Sequence, residues 1–329
     1  MNEVVEPNVV ARQRFEQARR RAALSQVSAR LTGEDIQLLP FEAIRMQLQQ
    51  QNPYYRGVVE VPLDAIVGSV GRYKTFTRKF LPLTDSVKDR WVAVDALAAQ
   101  RGWPPIELYQ VGNVYFVKDG NHRVSVARQL ELESIEAHVL AYPVNVTIDP
   151  KENLDQIFIH LGEQSFMAKT TLAERYPDHQ IRFTTPGRYT GLMAQIHGLR
   201  QVLAQIDGEM LDWETAVDAW YEMVYLPTVQ IIQDSTLLHD FPGRTEADLF
   251  VWLAQHRERL EERYGTCKKL AELAQFLADE YREPTLPRLT RQVRRLLGVG
   301  GEPPSLPNLD DVDESERASV GDGAAVSDA

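Results

Sequence analysis

Five consecutive residues, Asp119-Gly120-Asn121-His122-Arg123, have the types and the placement to hold an anion. They follow the apolar run Tyr115-Phe116-Val117 and precede Val124-Ser125-Val126-Ala127-Arg128, so the stretch reads as strand, tight turn and helix start. A helix start leaves backbone N–H groups without acceptors and carries the positive end of the helix dipole. Together these suit a phosphate group. His122 and Arg123 add donors matched to phosphate oxygens. Asp119 has two readings, a structural one in which it caps the helix or holds the turn, and a catalytic one.

The elements that must position this turn are legible on both sides of it. Val58 to Leu63 is a valine-rich extended run containing Pro62, which suits an edge strand. Gly68-Ser69-Val70-Gly71-Arg72 reads as a loop whose backbone comes close to something. It lacks the Gly-Lys-Ser/Thr ending of a phosphate-binding P-loop. Lys74, Arg78 and Lys79 follow as a local positive cluster. Thr84 to Arg101 is a helix with Val87, Trp91, Val94, Leu97 and Ala98 on one face, and Gly102-Trp103-Pro104-Pro105 ends it. Ile106 to Val111 and Val114 to Val117 are strands joined at Gly112-Asn113, and Ser134 to Leu140 is a third. Helix, hairpin, helix and strand in that order predict an α+β layer.

Outside this core the chain is helical. Asn8 to Leu31 predicts a helix with a stripe of Phe15, Ala18, Ala22, Leu24, Val27 and Leu31, stopped at Thr32-Gly33. It carries Arg12, Arg14, Arg19, Arg20, Arg21 and Arg30 against one acid, Glu16. That is a basic face docked on an acidic body or a contact for phosphate or nucleic acid. Leu38 to Gln51 predicts a second helix starting near Pro40. Beyond Pro150 the expected helices cover Leu154–Leu161, Lys169–Tyr176, Gly187–Ile206, Asp212–Gln233 with a break at Pro227, a segment capped by Thr245 and Asp248 and ended at Gly265, Lys268–Tyr281 and Leu286–Leu297. Trp213, Trp220, Tyr221 and Tyr225 are expected to pack rather than stack on bases. His239, Asp240 and Arg244 are a surface loop or a second polar site. The division is an N-terminal helical segment 1–57, an α+β domain 58–145, a mainly helical domain 146–297 and a disordered acidic tail 298–329.

Composition narrows the class. The 329 residues are 43% hydrophobic and 25% charged, which fits about two globular domains. A lone cysteine, Cys267, excludes an internal disulfide framework and a cysteine-rich zinc site. The N-terminus lacks the basic and apolar regions of a secretion signal, and no apolar run approaches the ~20 residues that span a membrane. A soluble cytoplasmic protein is expected. The net charge is −11, of which the stretch from Val299 onward contributes −7, so the body is not a general nucleic-acid binder.

Val58 to Tyr142 resembles the ParB N-terminal/sulfiredoxin-like superfamily over about a quarter of the chain. Three features carry the resemblance: Val61-Pro62-Leu63-Asp64-Ala65-Ile66 followed by Gly71-Arg72, then Trp103-Pro104-Pro105-Ile106-Glu107-Leu108, then Val117-Lys118-Asp119-Gly120-Asn121-His122-Arg123. The resemblance implies that Gly120, Asn121, His122 and Arg123 bind nucleotide phosphates, with Arg72 and Ser69 from the opposite loop. It implies a nucleoside triphosphate, ATP or CTP, with magnesium. Sulfiredoxin chemistry needs a cysteine where this chain has Asn121, so that activity is rejected. A partition-type ParB continues into a helix-turn-helix, and none is evident after Pro150. The Asp-Gly-x-His-Arg form looks closer to the free serine kinases of the same superfamily, for which Asp119, Asp64 and Glu60 are candidate carboxylates. Phe241 to Trp252 resembles a signature found in uncharacterised bacterial proteins.

Two functions follow as expectations. One is a nucleotide-binding ParB-like regulator with a transcriptional or DNA-linked role, partnered by DNA or a protein and by a second copy in a homodimer, with no membrane. The other is a nucleotide-dependent phosphotransferase acting on a small hydroxyl compound. Non-specific nuclease activity lacks the metal-carboxylate cluster it needs.

Overall fold

The computed structural model describes residues 7–32, 35–48, 51–234, 238 and 241–264. The expectations for Gly265, Cys267, the helices 268–281 and 286–297, the tail, His239 and Asp240 lie outside the described residues. The chain divides into two compact units, Met1–Gln164 and Ser165–Ala329. It is an α+β fold with a six-stranded mixed sheet in the first unit and helices in the second.

In the first unit α1 (Pro7–Thr32) precedes a two-residue strand β1 (Leu39–Pro40) and α2 (Phe41–Gln47). Then come β2 (Tyr54–Pro62), β3 (Ile66–Ser69), α3 (Lys88–Arg101), β4 (Ile106–Val111), β5 (Val114–Asp119), α4 (Asn121–Gln129) and β6 (Ser134–Ala141). The strand order is β1-β3-β5-β4-β6-β2. β4 and β5 form the expected hairpin, and β2 sits at an edge, paired with β6. An edge is where Pro62, without an N–H to offer the ladder, is tolerated.

The expectation of a loop over residues 68–72 needs correction at its start. Gly68 and Ser69 belong to the buried strand Ile66–Ser69, parallel to β5, and not to a loop. The close approach expected there is real and belongs to Gly68. A Cβ on it would lie 2.3 Å from the Leu39 carbonyl oxygen and 2.5 Å from the Phe116 ring, so only hydrogen lets β1 and Phe116 pass. The helix expected to start near Pro40-Phe41-Glu42 begins at Phe41, because Leu39 and Pro40 pair with Gly68 and Ser69.

Alternation along the strands feeds two layers of core. Val117, Leu108, Ile106, Ala137 and Val139 pack with Phe15 of α1, Trp91 of α3 and Val124 of α4. Val114, Phe116 and Val111 pack on the other face with Phe41 and Ile44 of α2 and with Tyr142, Ile157 and Leu161. Phe41 stacks on Tyr109 with ring centroids 4.6 Å apart, worth about 0.5–1.5 kcal/mol beyond the area it buries. α1 is tied to α3 by Arg14, whose guanidinium donates to Asp95 at 3.1 Å. Burial pushes the Asp95 carboxyl up, against the opposing pull of Arg14.

Helix α5 (Leu154–Thr170) runs across the division at residue 164. The described helices after it are α6 (Leu172–Arg175), α7 (Arg188–Asp207), α8 (Trp213–Trp220), α9 (Leu226–Asp234) and α10 (Glu246–Tyr264). The break expected at Pro227 takes the form of a π-helical turn, Tyr221–Tyr225, between α8 and α9. A proline lacks the N–H for its helical bond and crowds the carbonyl four residues back, and the wider turn relieves both. Trp220, Tyr221 and Tyr225 are buried with Phe250, as expected of packing aromatics. Thr245 and Asp248 form a reciprocal cap at α10: Asp248 N–H donates to Thr245 Oγ1 at 3.2 Å, and Thr245 N–H donates to Asp248 Oδ2 at 3.1 Å. Arg244 donates to Thr184 Oγ1 at 2.7 Å.

Candidate anion-binding site

β5 delivers the chain to Gly120, whose φ of 117° and ψ of 16° lie where side chains are strained. A Cβ there would also meet Ile106 Cγ2 at 2.5 Å. Glycine is therefore required twice over, by the turn and by the β4 side chain packed against it. The first bond into α4 runs from Val124 N–H to the Gly120 carbonyl at 3.0 Å, and no side chain caps the helix. The N–H groups of Asn121, His122 and Arg123 are the ones such a start leaves without helical acceptors.

A hydrogen-bond relay fixes where this helix start lies. Trp91 Nε1–H donates to Ser125 Oγ at 2.8 Å, and Ser125 donates onward to the Phe80 carbonyl at 2.6 Å. At the far end of α4, Arg128 donates to the Leu63 and Ile66 carbonyls at 2.5 and 3.1 Å. The relay sets α3 beside α4 and so brings Arg90 to the turn.

The result is a cavity of about 350 Å³ lined by Val70, Gly71, Arg72, Arg90, Val94 and Lys118 to Arg123. Six of the seven residues expected at the site line it: Arg72, Asp119, Gly120, Asn121, His122 and Arg123. Ser69 does not. It is fully buried beneath the loop, where its hydroxyl donates to the Val117 carbonyl at 3.1 Å and accepts from Gly71 N–H at 3.4 Å. Its role here is to join β3 to β5 and shape the turn that carries Arg72.

Asn121 and His122 are buried, and Asn121 Oδ1 and His122 Nε2 have no hydrogen-bond partner. Buried polar atoms without partners cost about 1–3 kcal/mol each, which a ligand in the cavity would return. Rotating the Asn121 amide by half a turn puts its NH₂ donor at the same place. The His122 ring is held edge-on by Phe76, with centroids 5.5 Å apart. Burial pushes the His122 imidazole down to about 4, helped by Arg90 and Arg72 and opposed by Asp119. At neutral pH the ring is uncharged and can donate one N–H.

Four cations line the cavity, and two are already engaged. Lys118 pairs with Glu107 at 2.7 Å. Arg123 pairs with Asp119 at 2.5 Å and donates to the Pro104 and Pro105 carbonyls at 2.7 and 3.1 Å. Its guanidinium therefore anchors the helix start to the residues before β4, which Trp103 holds by donating to the Val94 carbonyl at 2.9 Å. Arg72 and Arg90 are exposed and make no ion pair with a described residue. Arg72 holds a φ of 57°, the left-handed region, in a turn closed by Thr75 N–H to its carbonyl at 2.8 Å.

Arg90 is the residue that reading along the chain missed. It sits one position before buried Trp91, and only the packing of α3 on α4 places it at the turn. Among the candidate carboxylates, Asp119 lines the cavity. Asp64 lines a different one with Arg21, Lys79 and Arg128, and Glu60 accepts from Ser134 on β6. Among the described residues no group of three or more His, Cys, Asp or Glu is placed to hold a metal. A larger cavity of about 600 Å³ lies between α1 and residues 35–37, 74 and 83–84, but none of its lining atoms is a buried polar group without a partner.

The sequence matches no family model, and no curated protein matches it. Among solved structures, sulfiredoxin from Arabidopsis thaliana is similar at 24% identity over 26% of this chain and 84% of its own, with a TM-score of 0.19. Among the described residues no helix is long and apolar enough to cross a membrane.

Proposed function

We propose that this chain is a nucleotide-binding regulator of the ParB-like kind, with the phosphates of a nucleoside triphosphate held at the start of α4 and a transcriptional or DNA-linked output. One observation carries the reading: buried, unpartnered polar atoms of Asn121 and His122 at an uncapped helix start, with Arg72 and Arg90 beside them. Free N–H groups take phosphate oxygens, and the two guanidinium groups would neutralise the charge of a polyphosphate. A magnesium ion would ride on those phosphates, with Asp119 the carboxylate lining the cavity to reach it.

Asp119 also supports a second reading, a phosphotransferase acting on a small hydroxyl compound. Its carboxylate is exposed in the same cavity, where an acceptor hydroxyl would need a base. The two readings separate by turnover. ATP and CTP are tested with and without magnesium by thermal shift, and the stabilising nucleotide is then incubated with and without a hydroxyl amino acid such as serine. The regulator reading expects stabilisation and no acceptor-dependent turnover. Turnover that requires the acceptor displaces it in favour of the kinase. Absence of duplex DNA binding at low salt, with and without nucleotide, removes the DNA-linked output.

A further inference from the structure

The N-terminal helix has two apolar faces, and one of them is bare. Ala11, Phe15, Ala18, Ala22 and Ala29 are buried. Leu24, Val27 and Leu31 were expected on the same stripe, but they are 71%, 57% and 83% exposed. They lie at i, i+3 and i+7, the spacing of a seam that meets another helix. Single exposed apolar residues are ordinary, whereas three in one line are not.

The charges around this seam choose its occupant. Arg14 and Arg19 are paired with Asp95 and Asp85. Arg20, Arg21 and Arg30 stand exposed with no ion pair to a described residue, Arg20 one turn before Leu24 and Arg21 and Arg30 on the two flanks of the seam, at the mouths of the cavities that also hold Asp64 and Asp35. The single acid of the helix, Glu16, is taken by Lys88 at 2.5 Å. A second copy of this helix fits badly. Antiparallel pairing that sets Leu24 on Val27 sets Arg21 against Arg30, and parallel pairing sets each arginine on its twin. A lipid surface would receive three aliphatic side chains with no aromatic anchor among them. A nucleic-acid backbone would leave the leucines uncovered.

We propose that the outward face of α1 from Arg20 to Leu31 docks an amphipathic helix of a partner protein, whose aliphatic seam covers Leu24, Val27 and Leu31 and whose flanking carboxylates meet Arg20, Arg21 and Arg30. The test uses a labelled synthetic peptide of about three heptads, with leucine at a and d and glutamate at e and g, and a control with lysine at e and g. Fluorescence anisotropy against the full chain is expected to show binding of the glutamate peptide and at least about tenfold weaker binding of the lysine peptide. The Leu24→Ser/Leu31→Ser double variant should lose at least about tenfold for the glutamate peptide. The Arg20→Glu/Arg21→Glu/Arg30→Glu triple variant should reverse the preference. All five positions are exposed, and circular dichroism checks that the fold is kept. No binding of either peptide, equal binding of both, or a preference the triple variant does not reverse overturns the proposal. So does binding to phosphatidylglycerol vesicles that the leucine variant loses while the peptides stay unbound.

Discussion

A histidine buried beside two guanidinium groups resists protonation, which makes His122 a pH gauge for the folded chain. Its pKa falls from an ordinary 6.5 to about 4 on folding. Between those values the unfolded chain holds the proton and the folded chain does not, so the contribution is complete above about 6.5 and is lost as pH falls toward about 4. Unfolding measured from pH 7 to 4 should show a steeper loss for the wild type than for His122→Asn. Parallel profiles would place the imidazole in water. Bound phosphate reverses the sign of the local charge, so nucleotide binding near pH 6 should take up protons, read as a buffer-dependent calorimetric enthalpy. Arg72 makes the complementary case. Its left-handed φ of 57° is a strain of about 1 kcal/mol that glycine would not bear. Arg72→Gly should gain about that much stability and still weaken nucleotide binding, whereas a gain in both would make Arg72 a bystander. Asn121 and His122 were legible because the chain sets them side by side. The roles of Ser69 and Arg123 were not, because their partners are the carbonyls of Val117, Pro104 and Pro105, contacts that only the folded sheet creates.

The element that makes the site is the Gly120 turn between β5 and α4. Gly120→Ala puts a methyl group 2.5 Å from Ile106 Cγ2 at a φ of 117°, and we expect a loss of about 2–4 kcal/mol, measured by denaturant unfolding. A neutral substitution would show that the turn relaxes freely. Elements whose pattern is local were readable: the β4–β5 hairpin from its Gly112-Asn113 turn, β2 as an edge from Pro62, and the Thr245–Asp248 cap. Two strands were not. β1 is two residues long, and β3 is Ile-Val-Gly-Ser, with a glycine that speaks for a loop until Phe116 and Leu39 are seen to need the space. The α1 stripe was readable in its first half, where Phe15, Ala18 and Ala22 are buried, and not in its second, where Leu24, Val27 and Leu31 are exposed. Past Ala22 the buried line continues through Ala29, and periodicity ranks leucine above alanine.

At the scale of the whole molecule, the net charge of −11 argues against polyanion binding, and the local arrangement argues for it. Of the net charge of −11, the stretch from Val299 onward contributes −7, and Arg72 and Arg90 face a cavity whose other cations are already paired. Formal charge is a property of the chain, whereas the proposed phosphate recognition would be a property of the few ångströms around the α4 start. That is why a short motif, and not the composition, pointed to the site. The fold places that start inside the first unit, so the site is built entirely within Met1–Gln164. The most direct test is calorimetric titration of ATP and CTP into the wild type and into Arg72→Ala, Arg90→Ala and His122→Ala. Binding of at least one nucleotide, weakened about tenfold or more by each substitution with the fold kept by circular dichroism, is the expected result. Wild-type affinity in all three variants would contradict a phosphate site at the start of α4.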